Sequence, residues 1–203
     1  PVCGAEGADL TACEGVEAEI ATLSNALAAE PKATAGAFEV TGGTSGTDYS
    51  YSNGVLTVND GANITISMTS GATTPTTDRI VVAKNATATI TLAGVKITPT
   101  DAGTVDGYSG IDLGSGATLN ITLQSGSSNV INGGTSETGT PAPGIRVPGG
   151  STLTIDGDGS LEVKGASADD RAAVGIGGMG SASENGEACG NVIILGGTIT
   201  VHG

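Results

Sequence analysis

The chain has 203 residues, 35 of them glycine, only 2% aromatic, and a formal net charge of −14. That charge argues against nucleic acid and anionic membrane surfaces, which reward lysine and arginine, and no apolar run approaches the roughly 20 residues that span a bilayer. So few aromatics do not fill a thick globular centre, whereas a narrow repeated core of Ile, Val, Leu and Ala needs none.

The first segment, 1–37, reads differently from the rest. Leu10, Cys13, Val16, Ile20, Leu23 and Leu27 recur three or four apart, which is one face of a helix. Glu14, Glu17 and Glu19 lie toward its start and Pro31 comes after its end. The spacing predicts an amphipathic α-helix over 10–29, placed to cap the strands C-terminal to it. The absence of an initiator Met and of a signal-peptide pattern reads as a mature or excised form.

From Phe38 the period changes to two, and Gly-rich turns separate short Ile/Val/Thr runs. Five segments align: VLTVNDGANITI (55–66), IVVAKNATATI (80–90), IDLGSGATLNI (111–121), IRVPGGSTLTI (145–155) and VGIGG…NVII (174–194). They recur at intervals of roughly 30 residues. Each reads apolar–x–apolar, a three-residue turn ending in Gly or Asn, then a second strand. The alignment places Leu56, Ile80, Ile111, Ile145 and Val174 in one inward column, and Val58, Val82, Leu113, Val147 and Ile176 in the next. The second strands supply Ile64/Ile66, Ala88/Ile90, Leu119/Ile121, Leu153/Ile155 and Val192/Ile194. Third strands come at VKI (95–97), NVI (129–131), LEV (161–163) and TITV (198–201). Three short strands per repeat predict an all-β fold over 38–203: a right-handed, three-sided parallel β-solenoid of about five rungs behind the helical cap. A β-sandwich would need many two-residue turns, and only Asn53-Gly54 has that form.

The phrases VTGGTSGTDYSYSNGVLTV, IDLGSGATLNITL, GIRVPGGSTLTIDGDGSLEV and AAVGIGGMG…CGNVIILGGTITV resemble β-helical modules of large surface proteins from gut-type Gram-positive bacteria, known as carbohydrate-binding domains. The resemblance covers residues 38–203. It implies a parallel β-helix on a cell surface, with plant polysaccharide as ligand and calcium as an accompanying ion, and it transfers no ligand residues.

A catalytic reading finds little support. The one histidine is His202, which leaves no histidine-based triad, so the chain reads as non-enzymatic. Asp156-Gly-Asp158-Gly sets two carboxylates two residues apart, a spacing used in calcium loops. Asp101, Asp106, Asp169, Asp170, Glu184 and Glu187 crowd the larger turns. Tyr49, Tyr51 and Tyr108 are candidates for stacking on sugar rings. Outward Thr65, Thr89 and Thr154 form one ladder, with Asn120 among them, and Thr87, Thr118 and Thr152 form another. Asp112 and Arg146 share an outward position in successive rungs and read as a structural ladder pair.

Cys3, Cys13 and Cys189 are the only cysteines and match no zinc spacing. Cys3–Cys13 is the favoured pair, leaving Cys189 buried or linked to a neighbour. An array needs both ends covered, and the sequence stops at TITVHG, directly on a strand, so either the chain was cut from a longer protein or another molecule is expected to cover that edge. These features predict a secreted, cell-surface structural protein that self-associates head to tail into a fibre, with the polysaccharide-binding module of a larger adhesin as the alternative.

Overall fold

The computed structural model describes residues 31–72, 74–100, 107–135, 140–168, 171–180 and 186–203. The predicted helix over 10–29 and the Cys3–Cys13 pair lie outside them, as do Asp101, Asp106, Asp169, Asp170 and Glu184. The chain divides into two compact units, Pro1–Lys32 and Ala33–Gly203. The described elements are all β-strands and all fall in the second unit, which begins at Ala33 rather than at residue 38.

Three strands come first: β1 (Ala33–Ala35), β2 (Phe38–Thr41) and β3 (Tyr49–Ser52). Next are β4 (Val55–Val58) and β5 (Asn63–Met68). The later segments contribute three strands each: β6 (Arg79–Val82), β7 (Thr87–Ala93) and β8 (Lys96–Ile97); β9 (Ile111–Leu113), β10 (Thr118–Leu123) and β11 (Ser128–Asn132); β12 (Ile145–Arg146), β13 (Thr152–Gly157) and β14 (Ser160–Lys164). A short hairpin, β15 (Ser167–Ala168) with β16 (Arg171–Ala172), precedes β17 (Ile176–Gly177), β18 (Asn191–Ile194) and β19 (Thr198–His202).

These strands sort into three larger sheets. One runs β1-β2-β5-β7-β10-β13-β18, a second β3-β4-β6-β9-β12-β17, and a third β8-β11-β14-β19. From β4 onward every pairing in them is parallel, each strand bonding to its counterpart in the neighbouring segment. β1, β2 and β3 pair antiparallel instead and line one margin of two sheets. Asn53-Gly54 makes the β3–β4 turn, with φ of 51° and 75°, the doubly positive geometry that Asn-Gly adopts in tight hairpins.

The repeated turn has one physical requirement. Asn59–Ala62, Ala83–Ala86, Gly114–Ala117 and Pro148–Ser151 each close with an N–H to C=O bond of 3.0–3.3 Å. Its third residue takes positive φ every time: Gly61 at 77°, Asn85 at 59°, Gly116 at 75° and Gly150 at 83°. Glycine and asparagine tolerate that conformation best, which is why each turn ends in one of them. A second glycine column, Gly110, Gly144 and Gly175, sits where the chain enters β9, β12 and β17. A Cβ on Gly144 would lie 2.7 Å from the Ile131 carbonyl oxygen, and one on Gly175 would lie 2.7 Å from that of His202.

Alternation does the rest. Leu56, Ile80, Ile111 and Ile145 are all 0% exposed and occupy adjacent register positions. Ile64, Ile90, Ile121 and Ile155 form a second buried row, and one contiguous apolar cluster joins the sheets. Fully burying each such side chain stabilises by roughly 1.5–3 kcal/mol. Asn129 is the polar intruder, 0% exposed. Its Oδ1 accepts from the Gly94 and Val95 amides at 2.9 and 2.8 Å, and its Nδ2 donates to Ser127 Oγ and the Ser160 carbonyl at 3.0 and 3.1 Å.

The register departs from the sequence alignment in two places. Ile64 pairs with Ile90 and Ile66 with Leu92, a slip of two residues from the expected Ile64–Ala88 match. A two-residue slip keeps the same side chains inward, and this one stacks large on large. In the last segment Ile176, not Val174, pairs with Ile145, and Val174 is 50% exposed. The corner Gly175 fixes that choice, because the preceding corner glycines directly precede Ile111 and Ile145.

Candidate functional site

Two places stand out: a polar cluster outside the β3-β4-β6-β9-β12-β17 sheet, and the margin of the sheets formed by the last three strands.

The cluster arises from register. Arg146 lies beside Asp112 on β9 and β12, and their outward side chains meet with Nη1 3.1 Å from Oδ1. Arg146 also turns its fork to Glu187, Nε to Oε2 at 2.8 Å and Nη2 to Oε1 at 2.7 Å. Glu187 Oε2 further accepts from the Met179 amide at 3.1 Å, so one carboxylate ties its loop to the sheet. Arg79 approaches Asp112 at 3.9 Å and lies over the Tyr108 ring, 4.3 Å from its centroid. Burial pushes the Asp112 carboxyl above its ordinary range, outweighing the pull of Arg146 and Arg79. The hydrogen bond from Arg146 holds Glu187 below its ordinary range, and Glu187 in turn raises Arg146. Two arginines and two carboxylates thus neutralise one another and bind four chain segments together. Sequence reading finds the Asp112–Arg146 pairing position but misses Arg79 and Glu187 as its partners.

The last segment forms the other feature. β17, β18 and β19 are the outermost strands of their sheets. Val192, Ile193, Ile194, Leu195 and Val201 are 37–66% exposed. With Val174, they account for every exposed large hydrophobic among the described residues except Tyr51. These three strands carry no Asp or Glu, although charge is the usual protection of a sheet edge.

The remaining predicted residues do not converge. Tyr49 is 4% exposed within the core and offers no ring to a ligand. Tyr51 donates its hydroxyl to Asp78 at 2.8 Å, and Tyr108 is covered by Arg79. The three tyrosines are therefore not a common stacking platform. Asp156 and Asp158 are both exposed, and Asp156 Oδ1 accepts from the Gly157 amide at 2.8 Å. Among the described residues, no three His, Cys, Asp or Glu gather closely enough to hold a metal ion. Cys189 is an exposed free thiol, in antiparallel bridge with Pro148, and not buried.

No family model, curated protein or solved structure matches the chain.

Proposed function

We propose that residues 33–203 form a right-handed, three-sided parallel β-solenoid of about five rungs that serves as a non-enzymatic extracellular structural module, adhering head to tail to copies of itself. The parallel, segment-to-segment register of three sheets supports the coil. The observation that carries the assembly is the gathering of exposed apolar side chains on β18 and β19 at one margin. An open strand edge with apolar side chains is a template for a further strand. At the other end of the three sheet orders stand β1, β3 and β8; Ala33–Ala35 and Tyr49–Ser52 carry no acid, and β8 carries Lys96. Terminal strands free of carboxylates let copies of a strongly acidic chain approach where mutual repulsion is least. A heterologous contact of this kind generates a filament when it does not close. The resemblance of the repeat phrases to surface-protein modules supports the extracellular setting.

Sedimentation velocity and negative-stain microscopy test this reading. Concentration-dependent growth into rods is expected, and Ile193→Lys, on the outward side of β18 beside Thr154, suppresses it while the circular-dichroism spectrum stays that of the native chain. A strictly monomeric chain at all concentrations, especially one retarded in a polysaccharide affinity gel, sinks the stacking model in favour of a sugar-binding module.

A further inference from the structure

The outward face of the β1-β2-β5-β7-β10-β13-β18 sheet differs from the other two outward faces, and it does so independently of the strand margin. Register sets Thr87, Thr118 and Thr152 side by side, and Thr89, Asn120 and Thr154 beside them. A third column runs Thr65, Thr91 and Thr122 before ending at Asp156. The sequence alignment places Thr65 in the Thr89 column; the two-residue slip of β5 moves it and makes the third column continuous.

These nine positions form a two-dimensional array. Strand spacing repeats about every 4.8 Å, and alternate residues along a strand about every 6.6–6.8 Å. All nine are at least partly exposed, alternating with buried residues such as Ala88, Ile90, Leu119 and Ile121. None of their side chains makes a hydrogen bond to another described residue, so their polar groups are unspent. None is charged, in a chain of net charge −14.

Strand propensity alone does not account for this face. It would place threonine equally on all three outward faces. Yet the β8-β11-β14-β19 sheet has one hydroxyl column, Ser128, Ser160 and Thr198, beside two that carry charge: Lys96, Val130, Glu162 and Thr200, then Asn132, Lys164 and His202. That of the β6-β9-β12 strands reads Val81, Asp112 and Arg146.

We propose that this face binds ice. A threonine offers a hydroxyl and a methyl together. Repeated at constant spacing in two directions, such side chains hold surface water in positions that merge with a crystal lattice. Charged groups would instead orient water around themselves. The ligand that requires two-dimensional periodicity and no charge is a crystalline one. A soluble sugar or peptide is instead gripped by convergent polar groups or an aromatic platform, neither of which this face has.

Thermal hysteresis and ice-recrystallisation assays on the whole chain test the proposal. Faceted crystals and a freezing gap above buffer are expected. Asn120→Lys, at the centre of the array, should return both readouts to buffer level while the circular-dichroism melt is retained. Val130→Lys, on another outward face, should leave both readouts intact. Should Asn120→Lys not fold, Thr89→Val removes one hydroxyl while keeping the shape, and must weaken both readouts. Unshaped crystals with the native chain, equal loss in Val130→Lys, or retention by a neutral polysaccharide gel without any effect on ice overturns the idea. The readouts apply to monomers and rods alike, so they are independent of end-to-end stacking.

Discussion

Arg146 and Glu187 meet side-on, two guanidinium nitrogens within 2.8 Å of two carboxylate oxygens, across 41 residues of chain. The same arginine holds Asp112. Arg146→Ala therefore strands two partly buried carboxylates at once and is expected to destabilise by roughly 2–4 kcal/mol. Arg146→Lys should recover only part of this, because an ammonium cannot span both oxygens of Glu187 while holding Asp112. Urea denaturation of the two variants measures the difference.

The two carboxylates impose opposite pH dependence. Glu187 titrates below its ordinary range, so its contribution is present above about pH 4.3 and is lost as pH falls through its lowered pKa. Asp112 titrates above its ordinary range, so its contribution is full below about pH 3.9 and is lost as pH rises through its raised pKa. Glu187→Gln should flatten the acid limb of stability against pH, and Asp112→Asn the limb toward neutrality. Urea midpoints between about pH 3 and 7 separate them. Identical profiles for both variants would contradict the assignment.

Asn129 replaces an apolar residue in a buried column, and all its polar atoms are satisfied. Truncation to Ala leaves the Gly94 and Val95 amides without their side-chain acceptor. A loss of roughly 2–4 kcal/mol is expected from unpaired amides and the cavity together. Asn129→Leu fills the space but not the bonds, and should be no better than Ala. Thermal or urea melts of both decide whether bonding or volume dominates.

Gly144→Ala tests the corner. The added methyl would meet Val163 Cγ1 at 2.6 Å and backbone oxygens of Ile131 and Lys164 at 2.7 and 2.9 Å. Backbone on two sides leaves no flexible group to yield, so a loss above about 3 kcal/mol is expected. Gly126→Ala, where nothing lies within 4 Å but φ is 72°, should lose only about 1 kcal/mol from backbone strain. Paired melting curves compare crowding with strain.

Much of this is legible in the sequence, for identifiable reasons. Period-two alternation names the buried rows, because a strand must send alternate residues inward. The Gly or Asn ending each turn marks a position that rejects other side chains. The β1–β2 hairpin gives no sequence signal because its turn, Gly36-Ala37, has no distinctive pairing. The slip at Ile64 is invisible because both registers bury the same residues. Val174 and Ile176 compete for one column because both flank a glycine at period two; the corner column Gly110, Gly144, Gly175 carries the information that decides between them. Glu187 lies in a loop far along the chain from Arg146, and nothing local announces where its carboxylate will land.

The antiparallel strands at one margin also give the molecule a direction of growth. β2 and β3 lie against β5 and β4, and each later segment then adds to strands contributed by the one before it. In chain order, each segment therefore follows the strands it lies against on one side and precedes those on the other, so the array has a polarity that matches the direction of the chain.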